Sequence, residues 1–100
     1  MGLNKYRDEA GDFLARIGAE KDLEIKIKML EEEFEQLKSS IDKPNKFNHQ
    51  IYDMLFLLFE IASEANVDID TEWAFGRIRK EQKYIRSIDV SEEIACVSNQ

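Results

Sequence analysis

A chain of 100 residues has room for one domain at most, because a chain this short buries only about 60–70% of the surface its unfolded form exposes. Hydrophobic residues at 43% and charged residues at 35%, with four Gly and one Pro, leave few turn-formers for a strand-rich sheet and indicate an all-α protein. A formal charge of −7 sets the chain against nucleic-acid polymers and anionic membrane surfaces, while leaving open small phosphate ligands carried by a metal ion.

The first predicted helix runs from about Leu3 to Ile17, with Tyr6, Ala10, Phe13, Leu14 and Ile17 recurring at three- and four-residue steps. Gly18 stands where a C-cap is expected. A second helix begins near Lys21 and continues to about Ile41. On it Leu23, Ile27, Leu30, Phe34, Leu37 and Ile41 form one apolar stripe, which reads as core. Residues 42–48, with Pro44, two Asn and two Lys, form the main loop.

The third helix extends from His49 to about Ala65, with Ile51, Met54, Leu55, Leu58, Ile61, Ala62 and Ala65 on one face. Phe56, Leu57 and Phe59 fall outside that face. A helix apolar on more than one side of a small protein needs a second surface to cover it, so the fold is expected to be completed by self-association. Asp70 or Thr71 is the expected cap of a shorter helix from Glu72 to about Ile85. Residues 1–88 are thus expected as one helical domain and residues 89–100 as a weakly structured tail.

Cys96, the single cysteine, excludes an intrachain disulfide and fits a reducing compartment. The first residues lack the apolar core of a signal peptide, and no run approaches the roughly 18 apolar residues of a membrane span, so a cytoplasmic protein is expected.

The second helix carries Glu31, Glu32, Glu33 and Glu35 within a turn and a half. At about 100° per residue, Glu33 borders the expected core stripe at about 75° from its centre, with Gln36 next along the same flank. On the third helix Gln50 and Asp53 lie side by side at a three-residue spacing. An antiparallel hairpin of these two helices can bring Glu33 and Gln36 opposite Gln50 and Asp53. Oxygen donors converging between helices suit Mg²⁺, which takes oxygen ligands and keeps waters and substrate phosphates in its shell.

Three stretches carry a family resemblance: Met29 to Leu37, Gln50 to Leu58, and Asn66 to Ile69. Together they resemble the MazG-like all-α nucleoside triphosphate pyrophosphohydrolases over roughly residues 20–85. The basic segment from Trp73 to Tyr84 is similar to the one that follows in that family. The resemblance implies an antiparallel helical hairpin with flanking helices, assembled as a homodimer or homotetramer. It also implies Mg²⁺, with Mn²⁺ as a substitute, and cleavage of a nucleoside triphosphate to a monophosphate and pyrophosphate in nucleotide-pool cleaning.

Carried over residue by residue, the metal positions fall on Glu33, Gln36, Gln50 and Asp53. Glu32 takes the accessory acidic position, so that Glu32 and Glu33 are the candidate catalytic carboxylates. Arg77 and Lys80, which share a side of the last helix, are the candidate phosphate contacts.

The family has a Glu-x-x-Glu pair followed by a Glu-x-x-Asp pair, so glutamine stands at two positions, 36 and 50, where the family has glutamate. A glutamine carbonyl can ligate a cation but brings no charge to offset its dehydration, so weaker metal binding is expected. A register shifted by one residue pairs Glu32 with Glu35, but turns both away from the hairpin. Two further readings follow from the same residues: a catalytically silent MazG-like oligomer that binds nucleotide or a protein partner, and a helical interaction module unrelated to the family. His49, one residue before Gln50, is a candidate ligand or base, and its place in a first helical turn makes a bystander role the commoner one.

Overall fold

The computed structural model describes residues 2–85, all of whose regular elements are helical. They are α1 (Leu3–Ile17), α2 (Leu23–Ser39), α3 (Pro44–Glu64) and α4 (Ile69–Lys80), the last running into a π-helical turn over Glu81–Ile85. No described helix is long and apolar enough to cross a membrane. The expected tail and Cys96 lie outside the described residues. The chain divides into a unit through Ile69 and a second from Asp70 onward.

The helix boundaries follow local chemistry. α1 stops at Gly18, which takes the left-handed conformation at φ 62° and returns its N–H to the last turn, as a glycine cap does. α2 starts where the Asp22 carboxylate accepts hydrogen bonds from the backbone N–H groups of Glu24 and Ile25 at 2.9 and 3.3 Å. α3 ends before Asn66, a second left-handed residue at φ 57°.

Two boundaries differ from expectation. The loop between α2 and α3 spans only residues 40–43, because Pro44 opens α3 at its first position, where a missing N–H costs nothing. α4 begins at Ile69, before the expected caps Asp70 and Thr71. Its first N–H is met from α1 instead: Asn4 accepts from the Ile69 backbone at 2.8 Å and donates to Asp68 at 2.9 Å. Arg7 adds a bond to the Val67 carbonyl at 2.8 Å.

In the first unit α1 and α2 each pack on α3. From α1, Ala10 and Leu14 are buried, and Gly11 lets the helices approach so closely that a Cβ there would stand 2.2 Å from the Ser63 hydroxyl. Phe13 meets Phe56 edge to face at a ring-centroid distance of 5.6 Å, and Tyr6 meets Phe59 at 5.9 Å. The α3 residues placed outside the expected face therefore carry the α1 contact, and Leu57 is buried. Ile51, Leu55 and Leu58, expected inside, are 40–48% exposed. An all-round apolar helix does not choose a face by periodicity; its neighbours choose.

The α2 stripe is corrected in the same way. Leu23, Ile27, Phe34 and Ile41 are exposed, and the covered positions are Lys26, Leu30, Glu33, Leu37 and Ser40. At about 100° per residue this face is rotated by about 60° from the apolar stripe. The rotated face carries a buried ion pair. Lys26, with 1% of its surface exposed, gives its ammonium to the Glu60 carboxylate of α3 at 2.9 Å. A buried lysine is tolerated only when so paired.

The second unit is described by itself. None of its described residues is buried, and Trp73, Phe75 and Ile78 are at least half exposed.

Candidate functional site

α1 and α2 lie on α3 with a groove between them, floored by α3 and enclosing about 840 Å³. α1 lines it with Asp8, Glu9 and Asp12, α2 with Glu33, and α3 with Asp53 and Glu60, against the cations Lys5 and Arg16. Phe13, Tyr52 and Phe56 supply the apolar part of the wall. The charge is mostly negative, so the groove repels a bare polyphosphate and accepts one only with cations. Glu60 is already neutralised by Lys26, which leaves Glu33 and Asp53 as the acids that α2 and α3 offer to a ligand.

The sequence-derived quartet is divided by this geometry. Glu33 and Asp53 line the groove together. Gln36 and Gln50 line a different cavity, at the α2–α3 turn. Gln50 reaches across the hairpin: its amide nitrogen donates to the Glu33 backbone carbonyl at 3.0 Å and to the Glu33 carboxylate in a short contact. Glu33 and Gln50 therefore do meet, but through an N–H turned toward the carboxylate, the arrangement of an uncharged neighbour taking the place of a cation.

Glu32 opens onto a third hollow, shared with Ile27, Phe34 and Met54, and not onto the groove. Arg77 and Lys80 belong to the second unit. There Arg77 lies 3.6 Å from Glu81, and the Lys80 ammonium sits 5.6 Å from the centre of the Tyr84 ring. His49 lines the turn cavity with Gln36 and Gln50.

Among the described residues no three His, Cys, Asp or Glu side chains are grouped tightly enough to hold a metal ion unaided. The donors present fit Mg²⁺ in a narrower way. Mg²⁺ is commonly held by one or two carboxylates with water and substrate phosphates completing the shell, and Glu33 with Asp53 supply two.

Sequence reasoning missed Lys26, Glu60 and the α1 acids. Lys26 and Glu60 are 34 positions apart, and nothing local links them. The acids at positions 8, 9 and 12 were legible as a cluster, but their place depends on how α1 crosses α3.

No family model, curated protein or solved structure matches the chain.

Proposed function

We propose that this chain is a MazG-like nucleotide pyrophosphohydrolase that accepts a nucleoside triphosphate with Mg²⁺ in the groove between α1 and α2. The observation that supports this reading is that Glu33 and Asp53, the two carboxylates at the family's metal positions, face one groove from two helices. When bound, Mg²⁺ would neutralise phosphate charge and polarise the phosphoryl group. Glu33 and Asp53 would hold that cation with its phosphates, and Glu33 would accept the proton of the attacking water. Water adds to one phosphorus of the α–β bridge while the bridging oxygen leaves with the other, giving a monophosphate and pyrophosphate. Phe13, Tyr52 and Phe56 offer the apolar surface on which a base can rest.

A second reading has its own support. The Gln50 amide donates to the Glu33 carboxylate, and with uncharged residues at 36 and 50 the groove takes a nucleotide only together with the cation it brings, and lacks the charge to fix that cation for turnover. On this reading the protein is a silent relative that binds nucleotide.

The same proposal includes self-association. Ile27 and Phe34 of α2 with Ile51, Leu55 and Leu58 of α3 are each 40–48% exposed, a density of large apolar side chains that a monomer of this size rarely leaves to water.

Pyrophosphate release over a panel of nucleoside triphosphates, with Mg²⁺ or Mn²⁺, separates the two readings. Release that vanishes in Asp53→Asn supports the hydrolase. Binding without release supports the silent relative, and neither binding nor release overturns both.

A further inference from the structure

Glu60 differs from the other acids of the α1–α2 groove in being buried. Asp8, Glu9, Asp12 and Asp53 are exposed and Glu33 is half-buried, whereas Glu60 keeps only 9% of its surface. It has no part in holding a cation, because Lys26 already offsets its charge. A neutralised carboxylate is still an acceptor, and Lys26 occupies only one of its two oxygens. The ammonium donates to Oε1 at 2.9 Å, and among the described residues no group donates to Oε2. Nor, among those residues, does any fully buried side-chain N or O go without a partner, so Oε2 reaches the surface, in the groove that Glu60 lines.

Its place on α3 decides what can meet it. Asp53 and Glu60 are seven positions apart on the groove side of α3, two turns or about 10 Å along the axis, with Phe56 and Leu57 between them. That is the scale on which a nucleoside follows its phosphates. A triphosphate held with its cation at Glu33 and Asp53 therefore extends its nucleoside end over the apolar floor toward Glu60. With its charge offset, Oε2 has little pull on a second cation and suits an uncharged O–H or N–H donor. Lys26 fixes the carboxylate before any ligand arrives, so little side-chain freedom is lost on binding.

We infer that Glu60 is a specificity-determining residue of the groove: its Oε2 accepts a hydrogen bond from the nucleoside part of the ligand, a sugar hydroxyl or a base N–H, and Lys26 is the positioning residue that holds it for that bond. The inference rests on the groove being the nucleotide site. It holds equally for a hydrolase and for a silent relative, because it concerns binding and not turnover.

The test is calorimetric titration of the full chain in Mg²⁺ with inorganic triphosphate and with the α,β-methylene analogues of adenosine and cytidine triphosphate, whose bridge resists cleavage. The wild type should prefer the nucleotides. Lys26→Met with Glu60→Met should lower that preference by about tenfold and leave the affinity for inorganic triphosphate unchanged, whereas loss of a merely structural pair would weaken both. Lys26→Gln with Glu60→Gln keeps a neutral carbonyl acceptor at position 60 and should restore most of the preference; helical circular dichroism checks that both pairs stay folded. Analogues lacking the sugar hydroxyls or the base amino group distinguish the two donors: the omission that removes the preference in the wild type should have no further effect in the methionine pair. A wild type with no preference or indifferent to both omissions, a methionine pair that keeps the preference or loses both affinities alike, or a glutamine pair no better than the methionine pair would each overturn the inference and leave the groove as the nucleotide site. If the wild type binds neither nucleotide nor inorganic triphosphate, or Asp53→Asn alters neither affinity, the nucleotide reading of the groove falls, and this inference with it.

Discussion

Removing the Glu60 carboxylate should cost more stability than any other single polar change in the first unit. At 2.9 Å and an effective dielectric of about 20, the Lys26–Glu60 attraction is about 6 kcal/mol, most of it cancelled by the cost of taking both charges out of water. The pair is therefore worth little in net terms, but its parts are not. Glu60→Ala leaves the Lys26 ammonium inside with no counter-charge, since Lys26 is 1% exposed, and breaking a buried pair in this way costs about 3–5 kcal/mol. Against a typical total of about 5–15 kcal/mol, that is enough to leave much of a small domain unfolded.

Replacing both residues by methionine removes the charges and keeps the volume, so Lys26→Met with Glu60→Met should lie near the wild type or above it. Urea unfolding of the two single variants and the double variant closes the cycle. A Glu60→Ala cost below about 1 kcal/mol would refute the reasoning, because it would mean that Lys26 reaches water and that α2 is not rotated as described.

Asp53→Asn should abolish Mg²⁺-dependent pyrophosphate release while leaving the helices folded, because Asp53 is exposed and borders the core without filling it; unchanged release would refute the site. Gln50→Glu should tighten Mg²⁺ binding, measured calorimetrically, because residue 50 touches Glu33, whereas Gln36→Glu, in the turn cavity, should leave it unchanged; an unaltered affinity in Gln50→Glu would count against the groove as the metal position. Asp22→Ala removes the N-cap of α2 and should cost about 1 kcal/mol in the same urea assay. Phe34→Glu or Leu55→Glu should shift the sedimentation coefficient to that of a monomer, and a wild type already monomeric at high concentration would reject self-association through that face.

Much of the fold was legible in the sequence because its signals are local. Three- and four-residue spacing marked the helices, and Gly18 marked a helix end, since only glycine enters the left-handed region without strain. For the candidate site, the sequence indicated Glu33, Gln50 and Asp53 and the hairpin that brings them near one another. It did not divide them, and it placed Glu32 with Glu33 where the structure turns Glu32 toward Ile27 and Phe34.

The tertiary structure decided which faces are inside. A hydrophobic stripe gives the angle at which one helix would bury itself in an indifferent medium, and that angle put Leu23, Ile27, Phe34 and Ile41 in the core. The neighbour was not indifferent. α3 presents Glu60, and on the α2 face that meets it Lys26 is inside, the apolar stripe lies about 60° away and exposed, and Glu33 lines the groove. Composition and periodicity are properties of one helix at a time, whereas an ion pair between residues 34 apart exists only once two helices have met.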